Sequence, residues 1–182
     1  MNWLTRLLAR LRPSLFRPVP APTPEPPPVE EGDGSIAGYL LLKHNAARAK
    51  RGFTNLTFNS ALQAIAQAHS EAMARSSTMS HDGAGDGSFE LRIGRSPYPF
   101  AAAGENIAAG AADVPAVMLE WLNSPGHRQN ILGPYTDFGG AVVSGRGVLY
   151  WTTVFDRPQT KDLFPGQRPT IRLGRSSPGR DG

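Results

Sequence analysis

Proline makes up eight of the sixteen residues from Pro13 to Pro28, and no other stretch of the chain restricts its conformation as strongly. Proline has no backbone N–H and fixes its own φ angle, so such a segment favours an extended polyproline II spacer and cannot form a packed core. We therefore assign residues 18–35 to a Pro-rich linker. A single folded domain is expected to follow it, at residues 36–157.

The segment before the linker, residues 1–17, has the periodicity of an amphipathic helix. Its arginines interrupt the apolar run that a secretory signal needs, and a spanning helix would need many more apolar residues. A basic helix lying on an anionic membrane surface is one interpretation, and a disordered tail or an atypical targeting peptide is the other. The apolar residues are Trp3, Leu4, Leu7, Leu8 and Leu11, and the arginines among them are Arg6, Arg10 and Arg12.

The charge distribution argues against one class of function. The chain carries a formal charge of +4, but residues 35–157 hold ten Lys or Arg against nine Asp or Glu, so the positive excess lies in the flanking segments. A nearly neutral domain lacks the basic face that binding to a phosphate backbone requires, and we expect no nucleic-acid partner. The chain contains no cysteine, so its stability must come from packing.

Apolar residues at helical spacing predict the first half of the domain to be helical. The first helix begins near Ile36 and is stopped by Gly52, and the second is capped by Asn59. A third, short helix is expected in "DGSFELRIG", where Asp86 or Ser88 could serve as the cap.

Two further helices and a hairpin are predicted in the second half. Asp113 opens one helix, and Ser124 caps a short one whose first residue is Pro125. The β-branched and aromatic runs "DFGGAVVSG" and "GVLYWTTVF" predict a hairpin that turns near residues 144–147. Residues 158–182, rich in Pro, Arg, Gly and Ser, are assigned to a flexible tail.

Two histidines stand where a side chain can face a cleft. His81 follows the second helix at the head of a Gly-rich loop, and His127 lies in the first turn of the short helix after a tight corner. Glu105, flanked by small residues in "AGENIAAG", is their natural acidic partner. Two imidazoles and a carboxylate support a divalent metal site, a general acid/base pair, or a hydrogen-bond network that only fixes loops, and spacing does not separate these.

The remaining polar residues have simpler interpretations. His44 and His69 fall inside helical patterns, where a lone histidine is more often a packed or surface residue than a ligand. Asn106 is expected to hold backbone, and Arg128 to bridge loops. The sequence has no H-E-x-x-H zinc pair, no G-x-S-x-G nucleophile elbow and no phosphate-binding Gly-Lys-Ser/Thr loop.

Six motifs occur in order along the domain: "HNAAR", "NSALQAIAQAHSEAMA", "SHDGAGDGSF", "GENIAAG", "WLNSPGHRQNIL" and "YWTTVF". Together they resemble the CAP superfamily of cysteine-rich secretory proteins, antigen 5 and plant pathogenesis-related proteins, most of all its cysteine-free bacterial branch. The resemblance covers about residues 36–156. It implies an α+β fold, a three-layer α-β-α sandwich with a central antiparallel sheet, an open cleft lined by histidines and acids, and an extracellular or envelope location.

The resemblance also assigns residues to that cleft. The histidine of the "SH" motif matches His81, and the acid of "GEN" matches Glu105. The second acid of the disulfide-containing members falls at Ser124, and their later histidine motif has no counterpart, so His127 is the candidate for that vacancy. The implied ligands of a divalent metal such as zinc are therefore His81, Glu105 and His127, with Ser124 as a fourth cleft residue. Asp156 stands where bacterial members often have glycine.

Three functional hypotheses follow. The first is a non-enzymatic, envelope-associated or secreted module whose cleft binds a divalent metal or a small polar ligand. The second is a hydrolase of peptides or cell-wall material with Glu105 as general base. The third is a lipid-binding or membrane-adhesion module that docks on an anionic membrane through residues 1–17.

Overall fold

The computed structural model describes residues 35–96, 99–158 and 170–174. Its five helices are α1 (Ile36–Ala49), α2 (Ser60–Ser76), α3 (Phe89–Gly94), α4 (Val114–Asn123) and α5 (Pro125–Ile131). All five lie where the apolar spacing predicts them. The predicted basic segment and nearly all of the linker, residues 1–34, lie outside the described residues.

Capping side chains fix where these helices begin. Asn59 and Asp113 each accept backbone N–H hydrogen bonds from the first turn of α2 and α4, which satisfies donors that have no partner within the helix. Of the two candidate caps of α3, Ser88 takes the position and Asp86 does not. Ser124 occupies the N-cap position of α5, ahead of Pro125.

Five strands form one sheet in the order β1-β3-β4-β2-β5. They are β1 (Thr57–Phe58), β2 (Phe100–Ala109), β3 (Asp137–Gly145), β4 (Val148–Pro158) and β5 (Thr170–Leu173). The three central strands are antiparallel, and the edge strands β1 and β5 pair in parallel with their neighbours. The predicted hairpin is β3 with β4, and it turns through Arg146 and Gly147, whose φ angles of 50° and 81° suit a tight two-residue turn.

Helices cover both faces of the sheet. On one face α1, α4 and α5 pack around an aromatic core that includes Trp121 and Phe138. On the other face α2 and α3 pack through Leu62 and Phe89. The α+β fold class, a three-layer α-β-α sandwich, is confirmed.

Buried polar residues tie α1 to the neighbouring loops. Asn45 exchanges two hydrogen bonds with the backbone of Leu56, at 2.7 and 3.0 Å. The buried Arg48 guanidinium is held by backbone carbonyl oxygens instead of an acid, because its several N–H donors can each find a separate acceptor. Those carbonyls belong to Thr54, Ile131, Gly133 and Tyr135. The "HNAAR" motif therefore has a structural role.

The prediction of a flexible tail over residues 158–182 is wrong for the part that the structure describes. Pro158 is the last residue of β4, and Thr170–Leu173 forms an edge strand hydrogen-bonded to β2. The strand holds only two apolar residues, Ile171 and Leu173, which is too short a pattern to predict a strand against so much Pro and Gly nearby.

His44 is the polar member of the aromatic core. Its side chain is fully buried, its Nδ1 donates to the Leu40 carbonyl at 2.7 Å, and its ring lies against those of Phe138, Phe155 and Trp121. Burial lowers the pKa of His44 to about 4, although the hydrogen bond to Leu40 opposes part of that shift.

We expect His44 to make the fold sensitive to acid. As the pH falls below 6.5, the unfolded chain binds a proton that folded His44 takes up only near pH 4, so the free energy of unfolding decreases. The decrease reaches about 3 kcal/mol at pH 4 and vanishes above about pH 7. Urea unfolding at pH 7 and pH 4.5 checks this, because His44→Leu should lose that part of the pH dependence. Equal pH dependence in the two chains would contradict the assignment.

Candidate functional site

A cavity of about 550 Å³ opens between the end of β2 and the helices at one end of the sheet. Residues 79–82 of the loop after α2 form one wall, and residues 107–109 of β2 form the floor. Residues 120–121 of α4, His127 and Gly174 complete the lining. The cavity therefore joins segments that are distant in sequence and mixes apolar walls with two imidazole rings.

His81 is held between two oxygen acceptors. Its Nδ1 donates to Oε1 of Glu105 at 2.7 Å, and its Nε2 donates to the carbonyl oxygen of Gly174 at 3.0 Å. Both hydrogen bonds coexist only when both ring nitrogens carry a proton, because neither a carboxylate nor a carbonyl can donate. The side chain is 12 % exposed, so His81 reaches the cavity, and its hydrogen bond to the buried Glu105 fixes the orientation of its ring.

Glu105 lies behind His81 and does not line the cavity. Its side chain is 0 % exposed, and the Nη2 of Arg92 lies 2.9 and 2.8 Å from its two oxygens. The expectation that Glu105 lines the open cleft is wrong, because its carboxylate is fully buried and pairs with the guanidinium of Arg92 from α3. Glu105 therefore positions His81 and is not among the residues that line the cavity.

Arg92 and two further residues extend this buried network. Nη1 of Arg92 donates to the carbonyl oxygen of His81 at 2.9 Å and lies 3.5 Å from Oδ1 of Asp86. Asp86 in turn accepts from Nδ1 of His69 at 2.7 Å, and Nε2 of His69 lies 3.9 Å from Glu105. The network fixes the loop that carries His81 to α2, α3 and β2.

His127 reaches the same cavity from the opposite side. It is 7 % exposed, and its backbone carbonyl accepts from Nδ2 of Asn106 at 3.1 Å. Oδ1 of Asn106 accepts from Asn130 at 2.9 Å, so two buried amides fix the first turn of α5. Burial, with a smaller contribution from the charge of His81, lowers the pKa of His127 to about 4, although the backbone of Gly174 opposes part of that shift. His127 is therefore neutral at pH 7.

Gly174 lies where the two histidines meet. Its N–H donates to the Glu105 carbonyl at 2.7 Å, and its own carbonyl accepts from His81. A Cβ atom placed on Gly174 would lie 2.1 Å from Oδ1 of Asn106 and 2.5 Å from Cδ2 of His127. Glycine is the residue that this space admits.

Ser124, the predicted fourth cleft residue, is not among the residues that line the cavity. It lies at the junction where α4 ends and α5 begins, and the exposed Glu120 of α4 supplies an acid to the cavity lining instead. Asn106 holds backbone as predicted, and Arg128 donates to the Leu122 carbonyl at 2.9 Å, bridging α5 to the end of α4.

The three predicted metal ligands do not fit one metal ion. Metal ligands must be deprotonated and free to turn toward the ion, but both oxygens of Glu105 face Arg92 and both ring nitrogens of His81 face oxygen acceptors. No group of three or more His, Asp or Glu side chains in residues 35–96, 99–158 and 170–174 is arranged to hold a metal ion. The donor set suits hydrogen bonding to an oxygen acceptor instead.

Sequence reasoning missed Arg92 and Gly174. Arg92 lies in a six-residue helix, and only the folded arrangement pairs it with Glu105, thirteen residues further along the chain. Gly174 belongs to the segment that composition assigns to a tail. The isolated apolar pair two residues apart before this glycine, "TIRLG", is the one weak signal that could have pointed to it.

Two bacterial proteins are similar to this chain in sequence. Among relatives, the uncharacterized protein YkwD of Bacillus subtilis (strain 168) is 34% identical over 112 residues, which cover 61% of this chain and 43% of that protein. The uncharacterized membrane protein YlbC of the same organism is 37% identical over 99 residues, covering 54% of this chain and 29% of that protein. The chain thus spans less than half the length of either relative.

A solved structure and a family profile also match this chain. The crystal structure of an extracellular protein containing a SCP domain from Bacillus anthracis str. Ames is 31% identical, with a TM-score of 0.61, and the match covers 67% of this chain and 40% of that chain. The sequence profile of the cysteine-rich secretory protein family, CAP, matches residues 41–155. These residues include α2 to α5, most of α1 and the three central strands, so this chain belongs to the CAP family, in a form that contains no cysteine.

Proposed function

We propose that this chain is a non-enzymatic CAP module of the cell envelope or its exterior, whose cleft binds a small polar ligand through an oxygen acceptor. The location is inferred from its relatives, because the Bacillus anthracis neighbour is described as extracellular and YlbC as a membrane protein. Within the described residues, no helix has the length and apolarity to cross a bilayer. Docking through residues 1–17 stays a prediction, since that segment lies outside the described residues.

One observation carries the proposal: the imidazole rings of His81 and His127 both lie against Gly174. His81 donates to the Gly174 carbonyl at 3.0 Å, and the His127 ring adjoins the same residue, since a Cβ on Gly174 would lie 2.5 Å from its Cδ2. Donors fixed in advance by buried partners lose little entropy when they bind an acceptor, which favours recognition of a carbonyl or carboxylate oxygen. The apolar floor of residues 107–109 would contact the rest of such a ligand.

The hydrolase alternative has less support. A general base must reach the attacking water, directly or through one other water molecule. Glu105 is 0 % exposed and both of its oxygens are engaged by Arg92 and His81, so it has the surroundings of a positioning residue.

Titration followed by the ¹⁵N resonances of the histidine rings tests the proposal on the full chain. Acetamide and acetate, the simplest neutral and anionic oxygen acceptors, are expected to shift His81 and His127. The resonances of His44 and His69 are internal controls, because both side chains are fully buried and neither lines the cavity. Zinc chloride, added in a separate arm, is expected to produce no saturable shift.

His81→Ala should abolish the response of His127 to both acceptors, because the second donor is gone. Shifts of equal size at all four histidines, or none at any, would contradict acceptor binding in the cleft. Saturable zinc shifts confined to His81 and His127 would instead support the metal assignment.

A further inference from the structure

The described C-terminal segment, residues 170–174, lies on the sheet as a bound peptide would. β5 pairs in parallel with β2 over four residues, from Ala102 opposite Thr170 to Glu105 opposite Leu173. Beyond that pairing, Gly174 donates its N–H to Glu105 and accepts from His81. The main chain of the segment is thus bound first by a strand edge and then by the cleft.

Side chains of the segment alternate between two environments. Ile171 and Leu173 are half-buried and pack against the core under α2 and α3, while Thr170 and Arg172 are exposed. Main-chain pairing combined with pockets for alternate side chains is the pattern by which extended peptides add a strand to an exposed sheet edge.

Glycine ends the pattern at the cleft. A Cβ on Gly174 would overlap Asn106 and His127, and neither neighbour is free to move, because Asn106 is hydrogen-bonded to the His127 carbonyl and to Asn130. The site therefore selects two apolar side chains two residues apart, followed by glycine.

The segment lies outside the part of the chain that defines the family. The family profile ends at residue 155, and eleven residues separate the end of β4 from β5. Residues 107–109 of β2, just past the bound segment, form the floor of the cavity, so the strand edge and the cavity make one continuous groove. This groove belongs to the family domain, whereas its occupant does not.

We propose that this groove is a binding site for an extended peptide of a partner protein with the pattern apolar-x-apolar-Gly, and that residues 170–174 occupy it as an internal ligand. The inference rests on the proposed function, since the cleft acceptor is then a peptide carbonyl. A partner peptide competes with the tethered segment, whose effective concentration is on the order of millimolar for a short linker. Partner binding releases the segment.

A peptide-binding measurement on full-length variants tests this. The probe is a fluorescent peptide TIRLG with blocked ends, and the matched control peptide is TIRLV. Gly174→Val should expel the chain's own segment, because its Cβ cannot fit, and bind TIRLG at least tenfold more tightly than the wild-type chain does. TIRLV should bind neither chain. The double substitution Ile171→Ser and Leu173→Ser releases the segment by removing its anchors and should give the same result if Gly174→Val does not fold.

Failure to bind TIRLG in both released variants overturns the proposal, as does equal binding of TIRLG and TIRLV. A wild-type dimer in light scattering that becomes monomeric in Gly174→Val would also overturn it, because the occupant would then be a second copy of this chain. When TIRLG fails to bind, acetamide and acetate distinguish the two proposals. If they still shift His81 and His127 in the released variants, the cleft binds acceptors and only the peptide assignment fails. If they do not, the proposed function fails as well.

Discussion

Replacing Arg92 with leucine is expected to lower the free energy of unfolding by about 3 to 5 kcal/mol, since the change removes the guanidinium that pairs with the buried carboxylate of Glu105. Arg92 is 7 % exposed and Glu105 is 0 % exposed, so water cannot replace the lost partner. The same guanidinium donates to the His81 carbonyl, so the loop that carries His81 should loosen at the same time.

Arg95 offers a matched control for this prediction. It lies one turn after Arg92 at the end of α3 and is exposed. Arg95→Leu therefore makes the same chemical change at a position in contact with water, where no buried carboxylate loses a partner. That substitution should change stability by less than about 0.5 kcal/mol. Urea unfolding at pH 7 measures both variants, and equal midpoints for the two would contradict a buried ion pair.

A double-mutant cycle separates the ion pair from general packing loss. If the Glu105 carboxylate destabilises the fold only when Arg92 is missing, then adding Glu105→Gln to Arg92→Leu should recover part of the lost free energy of unfolding. Additive losses in the double variant would mean that Arg92 acts through packing alone. The ¹⁵N resonances of His81 supply a second readout, because a merely structural loss would not selectively change the ring that Glu105 holds.

The helices were predictable because their signals are local. Asn59 and Asp113 cap helices through hydrogen bonds to residues two or three positions away, so a few consecutive letters contain both donor and acceptor. The hairpin is equally local, with its β-branched runs and its two-residue turn. The layer arrangement came from the family resemblance and not from these patterns.

The central strand β2 was not predictable from its own residues. Its sequence, FAAAGENIAA, is half alanine and has little β propensity. Pairing with β4 and β5 makes it a strand, and packing leaves no room for a side chain at Gly104, where a Cβ would lie 2.7 Å from the Tyr135 hydroxyl oxygen. Such a constraint comes from residues that are distant in sequence, and no local period reports it.

The candidate site also contains residues that local sequence predicts and residues that only long-range packing places. His81 and His127 were found because each stands at the junction of a helix and a loop, where a side chain can face a cleft. The remaining positions depend on how distant segments pack together. Glu105 lies behind His81, Arg92 lies beside Glu105, and Gly174 lies between the two histidines, and these three residues come from β2, α3 and the residue after β5. Residue types alone therefore left a metal site, an acid/base pair and a hydrogen-bond network open, and the metal ligands were implied by the family resemblance, whereas the contacts favour hydrogen bonding.

Asp156 is a second place where buried charge should have a large effect. It is 0 % exposed, neither of its carboxylate oxygens has a hydrogen-bond partner in the structure, and it lies directly across the β3–β4 ladder from Asp137. Burial, with a smaller contribution from the charge of Asp137, raises the pKa of Asp156 to about 7, although the backbone N–H and the charge of Arg157 oppose part of that shift. The carboxylate is therefore costly to the fold whenever it is ionised.

We expect Asp156→Asn to stabilise the protein, and to do so most at high pH. Because the folded pKa lies above the unfolded value of 3.8, the wild-type chain loses stability as the pH rises through that interval, and the full cost is present above pH 7. The variant should gain about 4 kcal/mol at pH 8 and less than half of that at pH 5, where folded Asp156 is protonated.

Urea unfolding of wild type and variant at pH 5 and pH 8 measures the two differences. The acid sensitivity of His44 cancels, because both chains contain that histidine. Asp82→Asn, the same change at an exposed carboxylate, should shift stability by less than about 0.5 kcal/mol at either pH. A gain for Asp156→Asn that is equal at both pH values would mean that the amide forms a new hydrogen bond, and the ionisation argument would be wrong. A gain that is larger at pH 8 than at pH 5 means that ionised Asp156 destabilises the fold at neutral pH.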